Sequence, residues 1–395
     1  MLTAKAMDFE ETEDHLLIRR TVSDLVREFP DQYWREKDSR GEFPREFWNK
    51  MAEKGWFGVN IPEKYGGSGL GLVEASIVIY EVARSGGGVP AADLFMRTLL
   101  FAGQTILDYG SATVKEKYLQ KIAQGQLICS FAHTEPNAGV STFDVTTSAE
   151  EKGGRYHIRG QKIWITLAHM ADVIIVVART TPKDKVEKKS EGITLFLING
   201  KDQHVRTSKI PGMALNTLGS DMVFFDGVEV PAENIIGEKD KGWICLSSLL
   251  NAERIATASM SVGVGELVLE RAVKYAKERV VFGRPIGMNQ AIQFPLAHCK
   301  MQLEAAKLMA LKAAWLFDKK KDCAFEANVA AYLGAKAAFE AADRAVQTLG
   351  GMGFAKEYDV ERHWRDLRLF RTAPVPEEMV LNYVGQHVLG LPKSF

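Results

Sequence analysis

Two short clusters bring together hydroxyl, imidazole and indole side chains. The first is FAHTEPNAG at 131–139, and the second is GQKIWIT at 160–166. Each places a threonine, Thr134 or Thr166, near the end of a predicted strand, one beside a proline turn and the other beside Trp164. Hydroxyls and backbone amides are what the pyrimidine edge of a flavin needs, and an indole can cover its ring. Residue types alone favour ordinary roles, because such a Thr often ends a strand and such a Trp often belongs to the core.

The elements that must position these clusters follow from the periodicity. Apolar residues recur at helical spacing before about residue 126 and again after about 240, whereas short β-branched runs such as ADVIIVVART, EGITLFLING and DMVFFDGVEV lie between. We therefore predict an α+β fold with an N-terminal α-helical domain at 1–126, a middle β-domain at 127–238 and a C-terminal four-helix domain at 239–395. The C-terminal helices are predicted at 251–279, 289–317, 325–349 and 377–389.

Composition and fingerprints exclude several classes of protein. Lys plus Arg equal Asp plus Glu at 50 each, so no net field attracts nucleic acid. No apolar run approaches the roughly 20 residues of a membrane helix, and the N-terminus MLTAKAMDFEETEDHLL lacks an apolar signal core, so we expect a cytoplasmic protein. The four cysteines form no CxxC pair, and no metal site is predicted. Neither GxGxxG after a strand nor GxxxxGK[ST] occurs, so any dinucleotide is held another way.

Six segments together resemble the acyl-CoA dehydrogenase family, in the family's order and over essentially the whole chain. They are IPEKYGGSGLG, YLQKIAQGQLICSFAHTEPNAG, RGQKIWIT, GSDMVFFDGVEVPAENIIGEKDKGW, RVVFGRPIGMNQAIQF and VQTLGGMGF. The resemblance implies a helical N-terminal domain, a β-barrel-like middle domain and a C-terminal helical bundle. It also implies FAD as the cofactor and an acyl-CoA thioester as the substrate.

The resemblance assigns cofactor contacts residue by residue. Phe131, His133 and Thr134 are expected to line the flavin ring, with Trp164 and Thr166 covering and bonding it from the other side. A second group reaches the FAD of a neighbouring subunit or contacts its ADP half, which implies an oligomer, usually a homotetramer. Its members are Arg279, Phe282, Gln290, Gln347, Gly350 and Gly351.

Substrate contacts are expected from Ser141, Asn251 and Arg254. The family's AGSD motif reads here as Ala138-Gly139-Val140-Ser141, so Val140 replaces a serine that commonly helps with FAD or substrate. We expect Ser141 to compensate from the next position.

The residue that removes the substrate proton departs from the family pattern. The usual base is a Glu in a YEGT-like motif that follows Arg-Asp, and counting from Arg365-Asp366 places Pro374 at its position. Proline has no acid–base group and no N–H to donate to a thioester oxygen. The sequence therefore predicts a branch of the family that lacks the usual base.

Three groups of carboxylates are alternatives. Glu253 comes first, because a minority branch of the family places its Glu immediately before this Arg; a predicted N-cap at Asn251 puts it in a first helical turn, where the dipole alone favours an acidic residue. Asp93 lies at an apolar helix start, where N-capping is the ordinary role. Glu377 and Glu378 are predicted to begin the last helix behind a proline.

A base at another position than the family's usual one would suit an acyl group that is not a straight chain. We therefore expect branched or alicyclic acyl-CoAs as substrates. Electrons would then pass to electron-transferring flavoprotein. Two other flavin reactions fit the same fold, namely reduction of an enoyl-CoA and oxidase chemistry with oxygen. A non-catalytic FAD- and CoA-binding scaffold is the alternative from a different class.

Overall fold

The computed structural model of the chain describes residues 11–394, so residues 1–10 of the predicted N-terminal domain lie outside it. The first part is helical, and two π-helical segments, Ala83–Gly87 and Met96–Gln104, flank helix α5. The helices are α1 (Glu13–Arg27), α2 (Asp31–Arg40), α3 (Arg45–Glu53), α4 (Leu72–Val82), α5 (Gly88–Phe95), α6 (Thr105–Tyr109) and α7 (Ala112–Ala123).

The middle part is a mixed sheet in which the strands run in the order β6-β7-β3-β2-β4-β5-β8, with β1 parallel to β4. The three β-branched runs form β4, β5 and β7, as predicted. The strands are β1 (Cys129–Ala132), β2 (Ser148–Lys152), β3 (Arg155–Thr166), β4 (Val173–Arg179), β5 (Ile193–Asn199), β6 (Val205–Ile210), β7 (Ser220–Pro231) and β8 (Ile235–Ile236).

The last part is helical again, which confirms the α+β fold with a β-domain between two helical parts. A short hairpin of β9 (Val280–Val281) and β10 (Arg284–Pro285) separates the first two helices. The helices are α8 (Gly242–Glu278), α9 (Gln290–Asp318), α10 (Ala324–Leu349), α11 (Val360–Arg368) and α12 (Glu377–Tyr383). The residue bounds of the three domains stay a prediction. Within residues 11–394, no helix is long and apolar enough to cross a membrane.

Helix α8 begins at Gly242, so the prediction that Asn251 caps it is wrong. The apolar stripe of Leu246 and Leu249 already continues the helix before Asn251, and both side chains are buried. Glu253 therefore lies well inside the helix, and proximity to a helix N-terminus does not account for it. Helix α11 was missed, because its sequence VERHWRDLR is short and largely charged.

Close packing fixes α8 in place. A Cβ on Gly263 would lie 2.6 Å from the carbonyl oxygen of Tyr80 on α4, and one on Gly265 would lie 3.0 Å from the Cα of Ala338 on α10. Only glycine allows backbones this close. Helix α8 thus packs tightly against α4 and α10, which fixes the position of its side chains.

Candidate active site

The two hydroxyl-bearing clusters are neighbours in the fold. The backbone N–H of Ile163 donates to the carbonyl of Thr134 at 2.9 Å, which joins the end of β1 to the end of β3. The rings of Phe131 and His133 lie 6.0 Å apart on the same segment. Residues predicted to line one aromatic cofactor from two sides are therefore brought together.

Trp164 does not belong to the core. Its side chain is 57% exposed although it lies on β3, and its φ of 61° places a non-glycine residue in the left-handed region. The pairing of β3 with β7 also shifts register between Lys162 and Ile165. A strained backbone that turns an indole outward is typical of a binding site. Thr166, two residues later, is buried, and its carbonyl accepts from the Ser130 hydroxyl at 2.7 Å.

A buried ion pair holds the two clusters together. Lys162 Nζ donates to Glu135 Oε1 and to the carbonyl of His133, both at 2.8 Å, and both charged side chains are almost wholly inaccessible. Glu135 also accepts from the Thr146 hydroxyl and backbone N–H, each at 2.7 Å. Burial opposes ionisation of Glu135, but the Lys162 charge and these hydrogen bonds outweigh it and lower its pKa to about 2.

Glu135 and Lys162 were not among the site residues predicted from the sequence. The signal was present, because each is the charged residue inside one of the two clusters, and opposite charges in neighbouring apolar segments favour a buried pair. His133 lies beside this pair, and burial together with the Lys162 charge lowers its pKa to about 4. Its Nε2 is buried and has no hydrogen-bond partner within residues 11–394, so one polar atom is left for a ligand.

Glu253 is partly buried on α8. Its carboxylate takes part in no hydrogen bond or ion pair with the part of the chain that the structure describes. Burial raises its pKa to about 7, although the charges of Arg254 and Arg97 oppose this and that of Asp93 adds to it. A free carboxylate that titrates near neutrality is suited to general-base chemistry.

Asp93 is placed differently from the prediction. It lies inside α5 and does not cap a helix, and its side chain is buried. Arg97 engages both of its oxygens, with Nε donating at 2.6 Å and Nη2 at 3.3 Å. Asp93 is therefore held in an ion pair, whereas Glu253 has no such partner among the described residues.

The two carboxylates that follow Pro374 are weaker candidates for the base. Glu377 begins α12, as predicted, and pairs with Arg371, whereas Glu378 is exposed. The Ser141 hydroxyl pairs with Asp144, so it is already engaged within its own loop.

Arg254 keeps unused donors beside Glu253. Its Nη1 donates to Asn251 Oδ1 at 3.1 Å, whereas its Nε is buried and has no partner among the described residues. Two of the three residues predicted to bind substrate thus lie within one helical turn of the candidate base.

The six residues predicted to contact a neighbouring subunit's FAD or its ADP half lie on the surface. Arg279 follows the last residue of α8 and has no carboxylate of residues 11–394 within 4.0 Å, so a surface ion pair does not explain it. Phe282 is fully exposed. Gln290 and Gln347 are exposed as well. No hydrogen bond or aromatic contact links this group to Trp164 within the described chain.

Gly350 and Gly351, the other members of the group predicted to contact FAD, leave their backbone open to solvent. A Cβ on Gly350 or Gly351 would meet nothing within 4 Å, and Gly350 has a φ of 59°. Backbone without side chains is accessible there to a large anionic ligand.

The fold and the two clusters define a flavoprotein oxidoreductase with a β-domain between two helical parts. Models of the acyl-CoA dehydrogenase N-terminal, middle and C-terminal domains match residues 12–126, 130–228 and 240–389. The chain belongs to the acyl-CoA dehydrogenase family, whose members are oxidoreductases that act on CH–CH groups.

Three individual similarities add detail. Acyl-CoA dehydrogenase FadE12 of Mycobacterium tuberculosis is 37% identical over 389 residues, covering 98% of this chain and 99% of the relative. The caffeyl-CoA reductase-Etf complex subunit CarC of Acetobacterium woodii is 37% identical over 361 residues, covering 91% and 94%. The solved FAD complex of PigA superposes with a TM-score of 0.92 at 26% identity, covering 98% of this chain and 100% of that one.

FAD is the cofactor of this family, and the residues present fit it. The outward indole of Trp164 offers a flat face, the unpartnered Nε2 of His133 offers a hydrogen bond, and the open glycines at 350 and 351 leave room for phosphates.

Proposed function

We propose that the protein dehydrogenates an acyl-CoA thioester and that Glu253 is the base. The observation that carries this is the state of Glu253: a partly buried carboxylate with no partner among residues 11–394, whose pKa is raised to about 7. The sequence is predicted to place Pro374 at the usual position of the base, and both oxygens of Asp93 accept hydrogen bonds from Arg97.

In the proposed mechanism, Glu253 removes the proton from the carbon next to the thioester carbonyl. As the resulting carbanion collapses, the next carbon loses a hydride and a carbon–carbon double bond forms, so the substrate gives up one proton and one hydride. FAD, when bound, accepts the hydride. Trp164 and Thr166 would contact the flavin on one side, and the Lys162–Glu135 pair holds the segment from Phe131 to Thr134 beside them.

A branched or alicyclic acyl group is the proposed substrate class. A base on α8 approaches the substrate from a different element than a base at position 374 would, so the reacting carbons sit differently in the pocket. The buried apolar residues of α5 and of the segment Met96–Gln104 supply a wall for such a group. Electrons are proposed to pass to electron-transferring flavoprotein, as the name of the CarC relative suggests for that protein.

Reduction of an enoyl-CoA is the second candidate, since CarC is named a reductase. Both reactions use the same atoms in opposite directions. The discriminating experiment is anaerobic mixing: a saturated thioester bleaches the flavin of a dehydrogenase, whereas an enoyl-CoA re-oxidises the chemically reduced form of a reductase at a useful rate.

The rate of flavin reduction is expected to depend on pH through Glu253. Only the ionised carboxylate takes a proton, and its pKa is raised to about 7. The rate should therefore fall about tenfold per unit as pH drops below about 7 and level off above it. Stopped-flow reduction across pH checks this, and a rate that stays flat down to about pH 5 would show that a carboxylate with an ordinary pKa is the base.

A homotetramer with shared cofactor sites is also proposed. Four exposed apolar side chains recur every seven residues along α9, which is a stripe typical of helix pairing; they are Phe294, Met301, Leu308 and Trp315. A groove of about 740 Å³ between α8 and α9, partly lined by Val273, Ile292 and Leu296, lies beside the hairpin that exposes Phe282. A cytoplasmic location stays a prediction.

Replacing Arg279 with methionine is expected to weaken FAD binding by about 10- to 100-fold, because charge-assisted hydrogen bonds to phosphate are lost. Titration of the apoprotein with FAD measures this. Arg284→Met is the matched control, since Arg284 lies on the same hairpin and donates to its own Asn289 at 2.9 Å. Equal affinities for the two variants would contradict the role of Arg279.

A further inference from the structure

The ion pair of Asp93 and Arg97 lies in the wall of the proposed acyl site. The proposed proton removal by Glu253 does not explain why this pair is present. The side chains of Asp93 and Arg97 are only 5% and 11% exposed. The surrounding residues of α5 and of Met96–Gln104 are almost all buried and apolar. Charges in such a wall are costly to bury, so the pair is expected to serve a ligand or a neighbouring group.

Packing places Arg97 next to the candidate base. The Thr257 hydroxyl lies 3.8 Å from the sulfur of Met96, which precedes Arg97. Glu253 lies one turn before Thr257 on the same face of α8. The segment that carries Arg97 therefore faces the stretch of α8 that carries Glu253, and the charges of both members of the pair act on the pKa of Glu253.

Aromatic contacts place Arg97 next to the cofactor segment as well. Its guanidinium lies 5.5 Å from the ring centre of Phe101, and that ring lies 5.1 Å from the ring of Phe131. Arg97 is thus linked through Phe101 to a residue that is proposed to line the flavin, and its charge also acts on Glu253.

Most of the hydrogen-bonding capacity of Arg97 is unused. A guanidinium carries five N–H donors, and only Nε and Nη2 of Arg97 donate to a protein atom within residues 11–394. Among residues 11–394, no nitrogen of Arg97 is both fully buried and without a partner, so the free edge around Nη1 keeps some accessible surface.

The net charge of the Asp93–Arg97 pair determines which kind of substrate oxygen can bind to Arg97. Asp93 neutralises Arg97, so the pair as a whole carries no net charge. A substrate carboxylate would add an uncompensated negative charge beside Asp93 and Glu253, which is unfavourable in a partly buried site. A neutral oxygen gains the hydrogen bond without that penalty.

We propose that Arg97 determines specificity by donating from its free edge to a neutral oxygen, such as a ketone, on the acyl group beyond the reacting carbons. The substrate would then be an oxygen-bearing acyl-CoA rather than a plain hydrocarbon one. This proposal rests on the proposed dehydrogenase function and on the location of the acyl group beside Glu253.

The test uses the FAD-loaded protein and three matched thioesters: cyclohexanecarbonyl-CoA, its ring-ketone analogue and its ring-carboxylate analogue. Rates of anaerobic flavin reduction give kcat and KM, and perturbation of the flavin spectrum gives affinity even for a thioester that is not oxidised. We expect the ketone to be preferred over the hydrocarbon by about tenfold, mainly in KM or affinity.

Two variants separate recognition from a structural role. In Asp93→Asn/Arg97→Met, no unpaired charge is left buried, and the ketone preference should disappear. Arg97→Gln retains a hydrogen-bond donor, so part of the preference for the ketone should remain. Arg19→Met is the control, since Arg19 is also little exposed and pairs with Glu81 at 2.7 Å, and it should keep the full preference.

A purely structural pair would change all three thioesters alike and leave their ratios unchanged, which would overturn the proposal. Preference for the carboxylate, or no preference in the unmodified protein, would overturn it too. If affinities follow the expected order but no thioester reduces the flavin, the recognition proposal stands and the dehydrogenase function fails.

Discussion

Replacing Glu253 with glutamine is expected to lower the rate of flavin reduction by an acyl-CoA by about 10²–10⁴-fold, because glutamine retains the shape of the side chain but cannot accept the substrate proton. The affinity for the thioester should change little. The loss is thus expected in kcat rather than in KM, and stopped-flow reduction with the preferred thioester measures it.

Two comparisons make the Glu253 result specific. Glu270→Gln alters an exposed carboxylate on the same helix that pairs with Arg84, and it should leave the rate unchanged. Asp93→Asn/Arg97→Met and Glu378→Gln remove the competing carboxylates and should not reproduce the loss of kcat. A variant of Asp93 that is inactive while Glu253→Gln remains active would assign the base to Asp93.

Replacing Lys162 with methionine is expected to destabilise the apoprotein by about 3–5 kcal/mol, because the carboxylate of Glu135 is then left buried without its partner. The same change frees the segment that carries His133 and Thr134, so FAD should also be retained less well. Denaturant unfolding of the apoprotein and the FAD content after dialysis measure the two effects.

The matched control for Lys162 is Lys152→Met. Lys152 pairs with Glu150 at 2.9 Å, but both side chains are at least 60% exposed, so this pair is expected to contribute about 0–1 kcal/mol. The double variant Lys162→Met/Glu135→Leu should regain much of the lost stability, since neither charge is then buried. Equal free energies of unfolding for Lys162→Met and Lys152→Met would contradict the stabilising role proposed for the Lys162–Glu135 ion pair.

Much of the fold could be predicted because its signals are local. Long runs such as EGITLFLING have the β-branched content of a buried strand, and the helical spacing after residue 289 gives α9 and α10 to within a residue or two. The start of α8 was misplaced because Asn251 is a frequent capping residue, whereas the stripe of Leu246 and Leu249 was the stronger signal.

The site could be predicted in part, and its limits have a physical origin. Threonine and tryptophan in two clusters identified the segments, and the structure brings these segments together. The pairing of Lys162 with Glu135 and that of Arg97 with Asp93 depend on three-dimensional packing or on which way a helix turns its charged face. The spacing of Asp93 and Arg97 was the available clue, because residues four apart on a helix are neighbours.

Oxidation of a saturated acyl-CoA is the activity that we propose for this protein. The most direct measurement is anaerobic mixing of the FAD-loaded protein with straight, branched and alicyclic saturated acyl-CoAs, followed through the visible absorption of the flavin. We expect rapid bleaching by a branched or alicyclic thioester and loss of that bleaching in Glu253→Gln. If no saturated thioester bleaches the flavin while an enoyl-CoA re-oxidises the chemically reduced protein, the dehydrogenase proposal is wrong and the protein is a reductase.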